Sequence, residues 1–211
     1  IGNICDRMLV NNMNNNAMEQ ISSRIYGNGR GHVFTSKDFS DLANHETIRQ
    51  ALSRLTREGK IRRLLRGVYE YPIFSTILDE WVPPDPERIA SAIARAHGWT
   101  IVPAGETALN LLGLTTQVPA RWLYHSDGPT KTFSWAGGVL AFRHRTNKEV
   151  TPLSAKTALL VQGLKALGKE GSDERVLDIL REKLNHGERM KALKEARFVT
   201  AWVYEMIRKL N

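Results

Sequence analysis

A four-residue apolar pattern, followed by a glycine and two short β-prone runs, constrains the fold of this chain more than any other feature. The pattern has the i, i+3, i+4, i+7 spacing of an amphipathic helix and comprises Ile48, Ala51, Leu52 and Leu55. Gly59 stands where a left-handed residue would end that helix. Residues 60–65 and 68–71 then favour two strands joined by a tight turn at Arg66-Gly67. The segment therefore predicts a helix followed at once by a β-hairpin.

The preceding residues add three shorter elements to this pair. Apolar residues at helical spacing predict a helix over 17–27, residues 32–34 favour an extended run, and Ser36 can cap a brief helix. Asn44 is a suitable cap for the main helix. The order helix, strand, helix, helix, hairpin is that of a winged helix-turn-helix, which we predict over 17–82. Residues 1–16, rich in asparagine, are predicted to be a lead-in that is either disordered or not native to the protein.

Positive charge is concentrated in two parts of the sequence. The chain has 30 Lys and Arg against 22 Asp and Glu, a net charge of +8. Between Arg49 and Arg66 seven cations face the single acid Glu58, and a second basic run extends from Arg121 to Lys169. Charge distributed in this way indicates a polyanionic partner.

The predicted helix and hairpin divide the first basic run into two roles. A helix fits the major groove, where Arg pairs with guanine and Gln with adenine, whereas cations on a hairpin suit phosphates. The candidate base contacts are Thr47, Arg49, Gln50, Ser53 and Arg54. The candidate phosphate contacts are Arg57, Lys60, Arg62, Arg63 and Arg66. The alternative is a solvated helix whose charges confer only solubility.

A cluster of prolines at residues 83–86 predicts a domain boundary, with a C-terminal mixed α/β domain over 83–211. A helix from Pro86, a strand over 99–102 and a short helix over 105–112 are expected first. Extended runs at 121–125, 131–135 and 139–145 predict an antiparallel meander, followed by helices over 154–167, 172–184 and 188–210. The apolar residues of the last helix could pack on their own domain or on a second copy. The fold class expected for the whole chain is α+β.

A secondary basic surface is expected at Arg143, Arg145 and Lys148, at the end of the predicted meander. This surface could contact DNA, RNA or an acidic protein, or it could simply be exposed to solvent.

Catalytic and metal-binding patterns are missing from the sequence. One cysteine, Cys5, excludes a cysteine-based zinc cluster, and the six histidines lack metal-ligand spacing, although His125 and His144 fall on neighbouring predicted strands. No phosphate-binding loop, dinucleotide fingerprint or nucleophile elbow occurs. We therefore expect no enzyme activity, no catalytic residue, no metal and no cofactor. No apolar run suggests a membrane segment, and a cytoplasmic location is expected.

Several strings resemble the AbiEi-like antitoxin and transcriptional-regulator family of type IV, abortive-infection toxin–antitoxin systems. The winged-helix part is similar over 48–55, 58–61, 64–69 and 71–72. The similarity continues through 103–105, 108–110, the Leu-Gly-Leu-Thr-Thr-Gln-Val-Pro block at 112–119, and 126–128. It covers roughly residues 18 to 165.

The resemblance implies that the winged helix binds inverted repeats of double-stranded DNA in its own promoter and represses the operon. It further implies that the C-terminal domain counteracts a nucleotidyltransferase toxin without a stable complex, in a monomer or weak dimer. Stand-alone relatives exist, so repression is the more secure of the two implications. The alternatives are a nucleic-acid-targeted enzyme, either a nuclease or a nucleotide-binding enzyme, that docks through its winged helix, and an antitoxin that binds its toxin directly.

Overall fold

The computed structural model of the protein describes residues 16–146 and 153–211. The predicted lead-in, apart from residue 16, and Lys148 lie outside these ranges. Within them the chain has eight α-helices and three β-sheets, which confirms the α+β class. No helix in these ranges combines the length and apolar character needed to cross a membrane. The contacts divide the chain into a first unit, up to His97 with Trp135–Gly137, and a second unit, Gly98–Ser134 with Gly138–Asn211.

The first unit combines three α-helices with a three-stranded and a two-stranded sheet. The larger sheet is antiparallel, and the central strand β3 lies between β1 and β2. In chain order the elements are α1 (16–27), β1 (Val33–Thr35), a 3-10 helix (Ser36–Phe39), α2 (His45–Arg57), β2 (Arg62–Leu65), β3 (Val68–Glu70), β4 (Phe74–Ser75), β5 (Glu80–Trp81) and α3 (Pro86–His97).

Helix α2 begins and ends where local sequence signals place it. The side-chain oxygen of Asn44 accepts a hydrogen bond from the Thr47 backbone N–H at 2.9 Å, which caps the first turn. Gly59 follows the helix with a φ of 68°, a conformation that glycine adopts without steric cost. The four predicted apolar residues of α2 are all buried and pack against Ile21 and Ile25 of α1.

Helix α3 belongs to the first unit, whereas the sequence placed the domain boundary before it, at residue 83. Pro86 opens the helix as predicted, and the Asp85 carboxylate accepts from the Glu87 backbone N–H at 2.8 Å. The helix packs on β1, and the Arg95 guanidinium donates to the Asp38 carboxylate at 2.7 Å. The proline cluster therefore marks a helix start, and the division between the units falls after His97.

The second unit consists of a four-stranded sheet and a group of helices. Its elements are β6 (Ile101–Pro103), α4 (Glu106–Leu111), β7 (Arg121–Ser126), β8 (Lys131–Trp135), β9 (Gly138–His144), α5 (Ala155–Gly171), α6 (Glu174–Lys183), α7 (His186–Glu195), a 3-10 helix (Ala196–Phe198) and α8 (Ala201–Lys209).

The predicted antiparallel meander is wrong, because β9 lies between β7 and β8 and runs parallel to β7. The Asp127-Gly128 pair does not close a hairpin between β7 and β8. The Asp127 carboxylate instead accepts from the Thr100 backbone N–H at 2.9 Å, and His144 Nδ1 donates to the Gly128 carbonyl at 2.9 Å. These bonds join the end of β7 to the residue before β6 and to the end of β9.

The last predicted helix, over 188–210, is interrupted. Helix α7 passes into a 3-10 turn, and Val199 is extended with φ −80° and ψ 175° before α8 begins. The apolar residues of α8, among them Val203 and Ile207, are buried in a core with Leu160, Leu164 and Leu180. They therefore pack within their own unit.

Candidate nucleic-acid interface

The solvent face of α2 brings the five candidate base contacts together. Burial of the apolar face turns the opposite side chains outward, because a helix repeats every 3.6 residues. Arg49, Gln50, Ser53 and Arg54 are exposed and Thr47 is half-buried. With Met18 of α1 they line a shallow depression of about 380 Å³. The structure thus places all five on one continuous surface.

Glu46, which the sequence analysis missed, holds two of these side chains. Its carboxylate accepts from the Arg49 guanidinium at 2.9 and 2.6 Å and from the Gln50 amide at 3.0 Å. The hydrogen bonds from Arg49, and then from Gln50, lower the pKa of Glu46 to about 2. The spacings i, i+3 and i, i+4 within one helix are the sequence signal for this cluster.

Glu58 forms a second cluster at the other end of the helix. It accepts from Arg54 Nε at 2.8 Å and pairs with Lys60 Nζ at 2.8 Å. The hydrogen bonds from Lys60, and then from Arg54, lower the pKa of Glu58 to about 2. Both acids of the surface are therefore ionised at neutral pH and partly neutralise the cations beside them.

A groove between α2 and the β2–β3 hairpin brings together three of the five candidate phosphate contacts. It has a volume of about 470 Å³, and Arg57, Arg63 and Arg66 line it together with Tyr69. All three arginines are exposed, and no ion pair joins any of them to another residue in the part of the chain that the structure describes. The turn at Gly67, with a φ of 79°, positions Arg66 at the end of the hairpin. The groove is therefore a positively charged surface of the first unit.

Arg62 does not belong to this groove, although the sequence grouped it with the phosphate contacts. Its guanidinium donates to Glu70 Oε2 at 2.9 and 2.5 Å and to the Val82 carbonyl at 2.9 Å. Glu70 lies directly across the hairpin from Arg62 and is 2% exposed. Neighbouring residues of a strand point to opposite faces, so Arg63 faces the groove while Arg62 faces Glu70. Arg62 is therefore a structural residue in the ion pair of a buried carboxylate.

The second predicted basic surface is only partly described. Arg143 is exposed on β9, Arg145 is half-buried and donates to the His144 carbonyl at 3.2 Å, and Lys148 lies outside the described residues. His125 and His144 lie on adjacent strands but one register position apart, which puts them on opposite faces of the sheet. Across residues 16–146 and 153–211, no group of three or more His, Cys, Asp or Glu is placed to hold a metal ion.

Comparison with known proteins gives a family without an assigned activity. Residues 20–192 match the model of a family of unknown function, DUF6088, and the chain belongs to that family. No curated protein matches the chain. The crystal structure of the RV2827C protein from Mycobacterium tuberculosis is similar at 16% identity, covering 85% of this chain and 71% of that chain, with a TM-score of 0.40. At this TM-score the likeness establishes neither a common fold nor a common function.

We predict that Arg62→Ala and Arg63→Ala differ sharply in their consequences for stability. Arg62→Ala leaves the Glu70 carboxylate buried without its cation and should destabilise the protein by about 3 kcal/mol. Arg63→Ala removes an exposed side chain and should change stability by less than about 0.5 kcal/mol. Urea unfolding followed by circular dichroism measures both. Equal effects of the two substitutions would contradict the separate roles assigned to these arginines.

We also predict that the Glu46 carboxylate titrates near pH 2 in the folded protein. Its lowered pKa means that its contribution to stability is present above about pH 4.5, the ordinary value for a glutamate, and is lost as the pH falls toward about 2. Carboxyl carbon shifts measured by NMR report the midpoint directly. Arg49→Ala should move the midpoint upward toward 4.5, and substitution of the exposed Arg175→Ala should leave it unchanged. An unchanged midpoint in Arg49→Ala would rule out Arg49 as the main cause.

Proposed function

We propose that this member of the DUF6088 family binds double-stranded DNA sequence-specifically through its first unit and acts as a transcriptional repressor. The observation that carries the proposal is the groove lined by Arg57, Arg63 and Arg66, which adjoins the exposed polar face of α2. A solvated helix that served only solubility would not require cations gathered from two separate elements into one groove. We place DNA at this surface.

In this proposal the first unit is a winged helix-turn-helix, with α2 as the recognition helix and the β2–β3 hairpin as the wing. The elements α1, β1, the 3-10 helix, α2, β2 and β3 occur in the order that this module requires. A helix of 13 residues extends for about 20 Å at 1.5 Å per residue, enough to cross a major groove of about 12 Å. The buried face of α2 remains packed on α1, while its polar face enters the major groove of the DNA.

The exposed side chains of α2 differ in how readily they can reach bases. Gln50 carries the donor and the acceptor that an adenine edge requires, and Arg54 carries the two donors that a guanine edge requires. Ser53 lies between them on the same face. Thr47 and Arg49 lie closer to the start of the helix. Arg49 and Arg54 are engaged by Glu46 and Glu58 in the free protein. Exposed ion pairs of this kind contribute about 0 to 1 kcal/mol, so a base edge can replace them at little cost.

Glu46 and Glu58 also help this surface to discriminate between specific and non-specific DNA. A carboxylate beside each base-reading arginine repels the phosphate backbone when the protein is out of register on DNA. In register, the arginine transfers to a base edge and the acid remains at the rim. Glu46 and Glu58 therefore reduce non-specific binding, while Lys60 and the three groove arginines supply contacts to phosphates.

The resemblance to AbiEi-like regulators extends the proposal to a type IV antitoxin that autoregulates its operon from promoter inverted repeats. The second unit would then counteract a nucleotidyltransferase toxin in the cytoplasm without a stable complex. Co-expression with a neighbouring nucleotidyltransferase gene tests this: restored growth without co-purification supports it. Co-purification would favour direct toxin binding instead, and no rescue would leave a plain repressor. Metal-dependent turnover of nucleic acid would favour the enzyme alternative.

We predict that Arg54→Ala weakens binding to the cognate promoter by about tenfold or more, since a bidentate base contact contributes about 1 to 3 kcal/mol of discrimination. Binding to random duplex should change much less. Fluorescence anisotropy with labelled upstream promoter DNA and a scrambled duplex of equal length measures the difference. Equal losses on both duplexes would show that Arg54 contacts phosphate rather than a base.

We predict that Arg63→Ala weakens binding to both duplexes alike and lowers the slope of log K against log salt by about one phosphate equivalent. A salt titration from about 50 to 200 mM in the same assay resolves this change. Arg175→Ala, at an exposed arginine of the second unit, serves as the matched control for the loss of one charge. If Arg63→Ala and Arg175→Ala gave the same slope, the groove would not be the DNA contact.

A further inference from the structure

The second unit contains a cavity of about 620 Å³ that the proposed DNA contact does not use. This volume falls within the range of about 300 to 1,000 Å³ that is typical of small-molecule sites. Leu153, Ala158, Val161 and Val199 provide its apolar surface, which derives from α5, the residues just before it and the segment between α7 and α8. An apolar cavity with a few polar groups converging on it is the usual form of a small-ligand site.

The charges around the cavity favour an anion. Arg145 and Lys165 both line it, and they belong to the second basic run of the sequence, for which the DNA contact gives no role. Lys165 is exposed, and within residues 16–146 and 153–211 no ion pair involves it. Two cations at an apolar cavity lower the cost of bringing a negatively charged group out of water.

Glu195, the acid in the lining, offsets only part of this positive charge, because its carboxylate already pairs with Lys191 Nζ at 3.8 Å. It accepts from the Ser154 backbone N–H at 3.0 Å and from the Ser154 hydroxyl at 2.7 Å. Burial opposes its ionisation, but hydrogen bonds from Thr157 and Ser154 outweigh burial and hold its pKa below the ordinary value. Its negative charge is therefore directed to the first turn of α5.

Phe198 adds an aromatic surface at the same place. The 3-10 turn buries Ala196 and leaves the Phe198 side chain 99% exposed, although Phe198 lines the cavity. A phenylalanine is seldom left fully in water, and one beside an apolar cavity offers its ring to a second planar ring. The neighbouring Gln162 and Thr200 supply neutral polar groups, and the Thr200 side chain makes no capping bond to α8.

We propose that this cavity binds a small planar organic anion, with its ring against Phe198 and Val199 and its carboxylate or phosphate group toward Arg145 and Lys165. Both halves of the ligand are required, because the cations alone would bind any anion and the apolar surface alone any hydrophobic compound. The site is separate from the proposed DNA interface, and neither depends on the other.

The test uses the full chain and 1-anilinonaphthalene-8-sulfonate, a planar aromatic anion whose fluorescence rises in apolar surroundings. We expect saturable binding to one site. Benzoate and phenyl phosphate, which carry a carboxylate and a phosphate on the same phenyl ring, compete for the probe and distinguish the two sources of charge. Displacement by either supports the site, and the stronger competitor identifies the anionic group. Inorganic phosphate and benzyl alcohol, each with half of the required chemistry, should not compete at the same concentration. Displacement by either half alone, or by neither aromatic anion, would overturn the proposal.

Substitutions at two positions test whether the probe binds in this cavity, and a substitution at a third position is the control. Lys165→Glu should weaken its binding by about tenfold, since an opposite charge becomes a like charge beside the anion. Lys169→Glu makes the same change four residues further on, beyond the kink at Gly168 (φ 76°, ψ 170°) and outside the cavity lining, and should leave binding unchanged. Phe198→Ala should weaken binding several-fold without affecting the fold, since its ring is solvent-exposed. Equal losses in Lys165→Glu and Lys169→Glu, or full binding in Phe198→Ala, would contradict the assignment.

Discussion

The packing of α2 against α1 is the contact on which the surface chemistry of the first unit depends. Ile48, Leu52 and Leu55 are each 1–2% exposed, and burying side chains of this size contributes about 1.5 to 3 kcal/mol each. Rotating α2 about its axis would expose these residues, so their burial fixes the rotation. The side of the helix that faces water, and with it the identity of the candidate base contacts, is thereby determined by the core.

Electrostatics then separates the six arginines between Arg49 and Arg66 into three groups. Arg62 pairs with the buried carboxylate of Glu70, and removing Arg62 would leave that negative charge buried without a counter-ion. Arg49 and Arg54 are held by exposed acids that a nucleic acid can displace cheaply. Arg57, Arg63 and Arg66 face a groove that contains no acid in its lining. Net charge alone cannot distinguish these groups, because all of these residues carry the same charge and lie within eighteen positions of each other.

The sequence predicts those features of the fold that are determined by interactions between residues close together in the chain. Asn44, the apolar spacing of α2 and Gly59 each act within one or two helical turns, and the helix begins and ends where they indicate. The parallel pairing of β7 with β9 joins residues 18 positions apart, such as Ser126 and His144, and no dipeptide signal reports it. The hydrogen bonds of Glu46 could have been predicted from helical spacing, and the opposite orientations of Arg62 and Arg63 from strand alternation. The assignment of α3 to the first unit could not be predicted from spacing, since it depends on packing against β1 and on the contact from Arg95 to Asp38.

The two proposed sites differ in how they would hold negative charge, and this difference bears on the meaning of the net charge of +8. The α2 surface is open, so salt screens its cations and its affinity must come from many phosphates at once. The cavity beside Phe198 is partly enclosed by apolar side chains, where one anionic group is screened less and two cations suffice. A long polyanion satisfies the first arrangement and a small planar anion the second. The excess of basic residues thus serves two proposed sites of different geometry, an open surface for a polyanion and a partly enclosed cavity for a small anion.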